Sequence, residues 1–176
     1  MKKDIDRSLK MLSTALEMEE KGKAFYERVV STCTNSLGKE MFKTLLEDET
    51  VHMDRIRKIY KSLSGKKVWG EWNDLEISYG NLEAIFRKMA KEHGSKINVE
   101  TGDLEALDIG IDFEARSVEF YEEQLKKATD KLEMDFIKEM ISEEKSHYVA
   151  LEDMKLYFSD PASWFRERER GGLDGG

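Results

Sequence analysis

Two short runs of this chain carry a carboxylate followed three residues later by a histidine: Glu49 and His52 in EDETVH, and Glu144 and His147 in EEKSH. On a helix that spacing places both side chains on one face, a turn apart. A carboxylate and a neutral imidazole so placed can ligate a dication, with iron or manganese suited and zinc able to substitute. Two further carboxylates complete the pattern. A shift of 95 residues lays LEMEEKGKAFYE (16–27) on IDFEARSVEFYE (111–122) and MFKTLLEDETVH (41–52) on FIKEMISEEKSH (136–147). Glu19 then meets Glu114, Glu49 meets Glu144 and His52 meets His147, and Glu19 precedes Glu49 by the same 30 residues that separate Glu114 from Glu144. The candidate ligands are Glu19, Glu49, His52, Glu114, Glu144 and His147.

All six interrupt apolar stripes. The helix holding Glu144 and His147 also carries Ile137, Met140, Ile141, Leu151, Met154 and Phe158 at close to a 3.6-residue period. Four glutamates facing one core would repel, and a single unpaired buried charge costs several kcal/mol. Two dications against four carboxylates and two neutral imidazoles sum to zero, so a pair of metal ions resolves the conflict.

The elements that must position these residues are four long helices. The periodicity predicts helix over about Asp4–Thr32, Lys39–Ser64, Thr101 or Asp103 to Lys127, and Asp130–Phe158, with CTNSLG breaking the first pair apart. Asp130, with Glu133 three residues on, reads as a capping-box start. Residues 65–102 form a long crossover in which Asn81 can cap a short helix, LEAIFRKMAKE, ending near Gly94. The expected architecture is all-α: a bundle spanning 1–159 made of one helical hairpin used twice, followed by a tail, 160–176, with Asp160 as cap and Pro161 at the first helical position.

Composition fits. The 176 residues are 38% charged with one proline, as in long charge-decorated helices, and the net charge of −8 argues against nucleic acid. No apolar run approaches membrane-spanning length and the start has no signal-peptide core, so a cytoplasmic protein with no membrane partner is expected. The single cysteine, Cys33, excludes an internal disulfide or a cysteine-only metal site within these residues and reads as an idle thiol.

The pairs EEKGKAFY and EARSVEFY, with EDETVH and EEKSH, make the chain resemble the rubrerythrin branch of the ferritin-like superfamily over about residues 5–158. The arrangement also matches the di-iron and di-manganese carboxylate bundles, in which two helices give one Glu each and two give Glu-x-x-His. The resemblance implies two bound irons, with manganese or zinc as substitutes, held by the six ligands above. It further implies Tyr26 and Tyr121 as tyrosines beside the ligands, and reduction of hydrogen peroxide with electrons from the iron pair. Rubrerythrins typically add a four-cysteine rubredoxin domain. With Cys33 alone, electrons are expected from a separate donor such as a rubredoxin-type protein. They also typically carry a glutamate three residues after the third-helix ligand. Here that position is Ser117, matching Gly22, so a more symmetric site is expected, and the room beside these two small residues is a candidate approach for the oxidant.

The alternatives are a ferroxidase or iron-storage protein acting on dioxygen, and a non-enzymatic metal-binding domain. A homodimer or small homo-oligomer is expected for the peroxidase. His93 reads as a polar helix end, and Trp69, Trp72, Trp164 and Phe165 as covers for bundle ends or a dimer interface.

Overall fold

A computed structural model describes residues 2–66, 68–69, 82–95 and 97–171. It contains α1 (Lys2–Thr32), α2 (Ser36–Lys66), α3 (Leu82–His93), α4 (Thr101–Leu125), α5 (Lys131–Ser159) and α6 (Pro161–Gly171), and no strand among the described residues. α1 packs along α2 and α4 along α5, giving the two hairpins of an all-α, ferritin-like bundle, while α3 and α6 lie against α5.

Local sequence explains the ends. α2 begins at Ser36, three residues before the expected start, because Asn35 is its cap: the side-chain oxygen accepts from the Gly38 N–H at 3.0 Å. Gly38 belongs to the first turn, where a Cβ would lie 3.1 Å from both the Phe158 ring and Cys33 Sγ. α5 is capped by Asp130, which accepts from the N–H groups of Leu132 and Glu133. The side chain of Glu133 departs from the expected box and turns to α1, meeting Arg7 at 2.6 Å and the Ser8 hydroxyl at 2.7 Å. Asp103 is the third residue of α4, in a capping box with Glu100. It accepts from the N–H of Glu100 and from the N–H and hydroxyl of Thr34, tying the α1–α2 turn to the start of α4. α3 ends at Gly94, whose φ of 72° is the left-handed conformation that glycine adopts freely. The expected Asn81 cap, Trp72 and the glycine-rich end at 172–176 lie outside the described residues.

Two apolar layers hold the bundle. One, at the α3–α6 end, gathers Tyr26, Leu37, Phe42, Leu107, Met154, Tyr157, Phe86 and Trp164. The other gathers Leu12, Ala15, Ile56, Leu63, Trp69, Tyr121, Phe136 and Met140. Trp164 is fully buried, stacked edge-on against Phe86 and Tyr157, and its indole N–H donates to Asp153. Along each of α1, α2, α4 and α5, the candidate ligands fall between residues of one layer and residues of the other. They form a polar stratum in a bundle that is dry on both sides.

Candidate metal centre

Residues about two turns apart along a helix lie on nearly the same face, so each ligand inherits its inward direction from the apolar residues flanking it. Leu12 and Tyr26 bracket Glu19, Leu45 and Ile56 bracket Glu49 and His52, Leu107 and Tyr121 bracket Glu114, and Met140 and Leu151 bracket Glu144 and His147. The structure brings all six together, none more than 4% exposed.

Both imidazoles turn Nδ1 inward and stack with ring centres 5.6 Å apart. His52 Nδ1 lies 3.2 Å from Glu19 Oε2 and 3.4 Å from Glu144 Oε1. His147 Nδ1 lies 3.4 Å from Glu144 Oε2 and 3.7 Å from Glu114 Oε2. Glu144 therefore offers one oxygen to each histidine. Glu49 joins two groups whose donor atoms lie within 4.8 Å of one another, one with Glu19 and His52, the other with Glu114, Glu144 and His147. Glu49 and Glu144 occupy the middle, and Glu19 and Glu114 the two ends.

The outer atoms are held from the opposite hairpin. The Tyr121 hydroxyl donates to Glu19 Oε1 at 2.7 Å, and the Tyr26 hydroxyl donates to Glu114 Oε1. Burial and the facing carboxylates hold both phenols well above their usual range, so they serve as donors. His52 Nε2 sits 2.6 Å from Glu143 Oε2, and His147 Nε2 sits 3.2 Å from Asp48 Oδ2. Asp48 and Glu143 were not singled out by sequence reasoning, although each directly precedes a Glu-x-x-His glutamate and the two are themselves 95 residues apart. Arg55, which reaches Glu143 at 2.6 Å, was also missed, and no repeat signal points to it.

The electrostatics show what the cluster needs. Burial pushes Glu49 and Glu144 well above the ordinary carboxylate range, with Glu19 adding to both. Burial also acts to raise Glu19, but His52 and the hydrogen bonds from its neighbours hold it down to about 2. Burial opposes the same lowering at Glu114, where His147 and Tyr26 prevail. Burial favours neutral imidazoles, yet Glu144 and Glu19 around His52, and Asp48 and Glu114 around His147, hold both well above the usual value. Two carboxylates and two imidazoles thus keep four protons, which neutralise the stratum. Even so, both oxygens of Glu144, Glu49 Oε2, Glu114 Oε2 and His147 Nδ1 are buried with no hydrogen-bond partner. Two dications in place of the four protons give the same neutrality and supply a partner for those atoms. The donor set would suit a pair of dications held by these six residues.

The remaining candidates sit elsewhere. Gly22 is closely packed: a Cβ there would meet the Phe113 ring at 2.7 Å and Glu49 Oε1 at 2.9 Å, so glycine allows a close approach. Ser117 is buried on α4, 3% exposed. His93 bonds the Met89 carbonyl and faces Ser36 at the surface, far from metal chemistry. Burial and Asp103 push the Cys33 thiol up to about 11, leaving it unreactive.

No helix of the described residues is long and apolar enough to cross a membrane. The rubrerythrin family model matches residues 10–155, the greater part of the chain and all six ligand positions. No curated protein and no solved structure matches it.

Proposed function

The chain belongs to the rubrerythrin family, and on that premise we propose that it is a non-haem di-iron protein that reduces hydrogen peroxide to water. The observation that carries the reading is the buried, charge-balanced cluster of four glutamates and two histidines, in which Glu49, Glu114, Glu144 and His147 keep inward atoms without a hydrogen-bond partner.

Glu19 and His52 would hold one iron, Glu114 and His147 the other, and Glu49 and Glu144 would lie between them. When bound, two ferrous ions would supply one electron each, and with two protons drawn from solvent these two electrons turn one peroxide into two waters. The protein's part is positional. Tyr121 and Tyr26 fix the outer oxygens of Glu19 and Glu114, leaving the inner oxygens for metal. Asp48 hydrogen-bonds the outer nitrogen of His147 and Glu143 lies against that of His52, which would favour presenting Nδ1 inward. The apolar layers on either side keep bulk water from the stratum and strengthen its electrostatics. One cysteine within 176 residues leaves no four-cysteine iron centre in this sequence, so the electrons are proposed to come from a separate rubredoxin-type donor.

Rapid mixing of the anaerobic diferrous protein with hydrogen peroxide and, separately, with dioxygen tests the reading through the ferric absorbance. The expected result is faster oxidation by peroxide. Faster oxidation by dioxygen would replace the peroxidase with a ferroxidase. No ferric signal at full iron occupancy would leave the six residues as a structural metal site.

A further inference from the structure

The inner ligands obey the 95-residue repeat, and so do the acids behind the two histidines, but the repeat breaks at the next residue out. Arg55 Nη1 donates to Glu143 Oε1 at 2.6 Å, while Glu143 Oε2 lies at the same distance from His52 Nε2 as an ion-pair contact without hydrogen-bond alignment. The three side chains are 3%, 4% and 0% exposed. The position related to Arg55 by the repeat is Ala150, which has no charge to offer Asp48. Asp48 is shorter than Glu143, its side chain is 22% exposed, and it meets His147 at 3.2 Å rather than 2.6 Å. One histidine is thus backed by a buried carboxylate whose other oxygen is paired with Arg55, and the other by a carboxylate in contact with solvent that hydrogen-bonds its ring.

We propose that Arg55 is a positioning residue which, through Glu143, locks His52 and makes the His52 metal position the first of the two to fill. This rests on the proposed metal pair. A fixed imidazole loses no freedom when it takes a metal, and acids behind ligating histidines typically govern affinity tenfold to a hundredfold. Counting inward donors points the other way, since four gather around His147 and three around His52. Glu144 Oε1, 3.4 Å from His52 Nδ1, supplies the missing fourth. Pre-organisation then decides the order.

The two positions share Glu49 and Glu144, so stepwise affinity alone would reflect repulsion between ions. The test must resolve position. Crystals of the full chain given one equivalent of cobalt(II) would be measured at the cobalt absorption edge. The expected anomalous signal lies beside His52, about tenfold or more above that beside His147. Arg55→Ala is expected to bring the two signals near equality, Arg55→Lys to restore much of the preference, and Asp48→Ala to leave it intact. Because Arg55→Ala strands the Glu143 charge, the double variant Arg55→Met with Glu143→Gln, neutral at both positions, checks the same loss in a fold followed by circular dichroism. Cobalt first beside His147, equal signals in the parent protein, or a preference that survives loss of Arg55 would each overturn the proposal. No cobalt in the stratum even at saturation would overturn the metal reading itself and this proposal with it, whereas two ions bound without order would sink only this proposal.

Discussion

The two hairpins are built to one plan and finished differently. Each gives one lone glutamate, one Glu-x-x-His pair, one tyrosine that crosses to the other hairpin's glutamate, and one acid that backs the other hairpin's histidine. The reciprocity matters, because the tyrosine and the acid that hold each hairpin's cluster residues come from the other hairpin. Differences begin once this reciprocal set is complete: Gly22 stands opposite Ser117 in the repeat, and Arg55 opposite Ala150. Metal chemistry tolerates little change in donor type or placement. Packing around the site is free to drift, and it does.

The largest effects should respect the symmetry. Glu49→Gln and Glu144→Gln replace protonated acids by their nearest isostere, so the metal-free fold should stay within about 1 kcal/mol of the parent. Each removes a charge that both ions need, so bound metal should fall below two per chain in both variants, by elemental analysis after dialysis. Two ions retained in one variant only would break the equivalence of the hairpins at its centre.

A second comparison sets the stratum against the layers around it. Phe136→Ala should cost about 3–5 kcal/mol and its repeat partner Met41→Ala about 2–5 kcal/mol, since both are fully buried in apolar clusters. Both should still bind two ions. Chemical denaturation with metal analysis would separate the two contributions. A stoichiometry lost together with stability would mean that the layers and the stratum are one cooperative structure and not separable parts.

The pH dependence sharpens the same contrast. His52, His147, Glu49 and Glu144 all have values raised in the fold. Their contribution is complete below the unfolded values, about 6.5 for imidazole and 4.3 for carboxyl, and is lost as pH rises through the folded ones. Glu19 and Glu114 run oppositely: they stabilise above the ordinary carboxylate value and lose this as pH falls, for Glu19 near about 2. The metal-free chain should therefore lose stability on the alkaline side. Metal binding should strengthen there, because about four protons must leave for two ions to enter. Calorimetric titration in buffers of different ionisation heat counts those protons, and fewer than two would contradict the charge balance drawn here.

The six clustered residues were legible because a repeat turns weak single signals into a joint one, and because inward-facing carboxylates in an apolar stripe demand an explanation. Asp48 and Glu143 follow the repeat too, yet they act across the hairpin boundary, and a contact between helices is set by packing that periodicity does not encode. Arg55 is the harder case: the repeat puts Ala150 opposite it, and only its burial and its contact with Glu143 place it. The start of α2 was misjudged for a local reason. CTNSLG has the composition of a break, but Asn35 needs only its own side chain to begin a helix, and Gly38 is there for Phe158.

Gly22 and Ser117 give the smallest and most discriminating pair. Were both positions openings for the oxidant, adding or removing one atom at either would act alike, on the rate with peroxide. The geometry predicts otherwise. Gly22→Ala places a methyl group against the Phe113 ring and Glu49 Oε1, so these neighbours must shift. It should cost about 1–3 kcal/mol and weaken metal binding through the displaced Glu49. Ser117→Ala removes one hydroxyl from a buried site and should change stability by no more than about 1 kcal/mol, with both ions retained. Thermal unfolding and metal titration of the two variants decide between these readings: unequal effects mean that the small residues serve packing at one hairpin, and equal effects confined to the peroxide rate would return them to the oxidant's path.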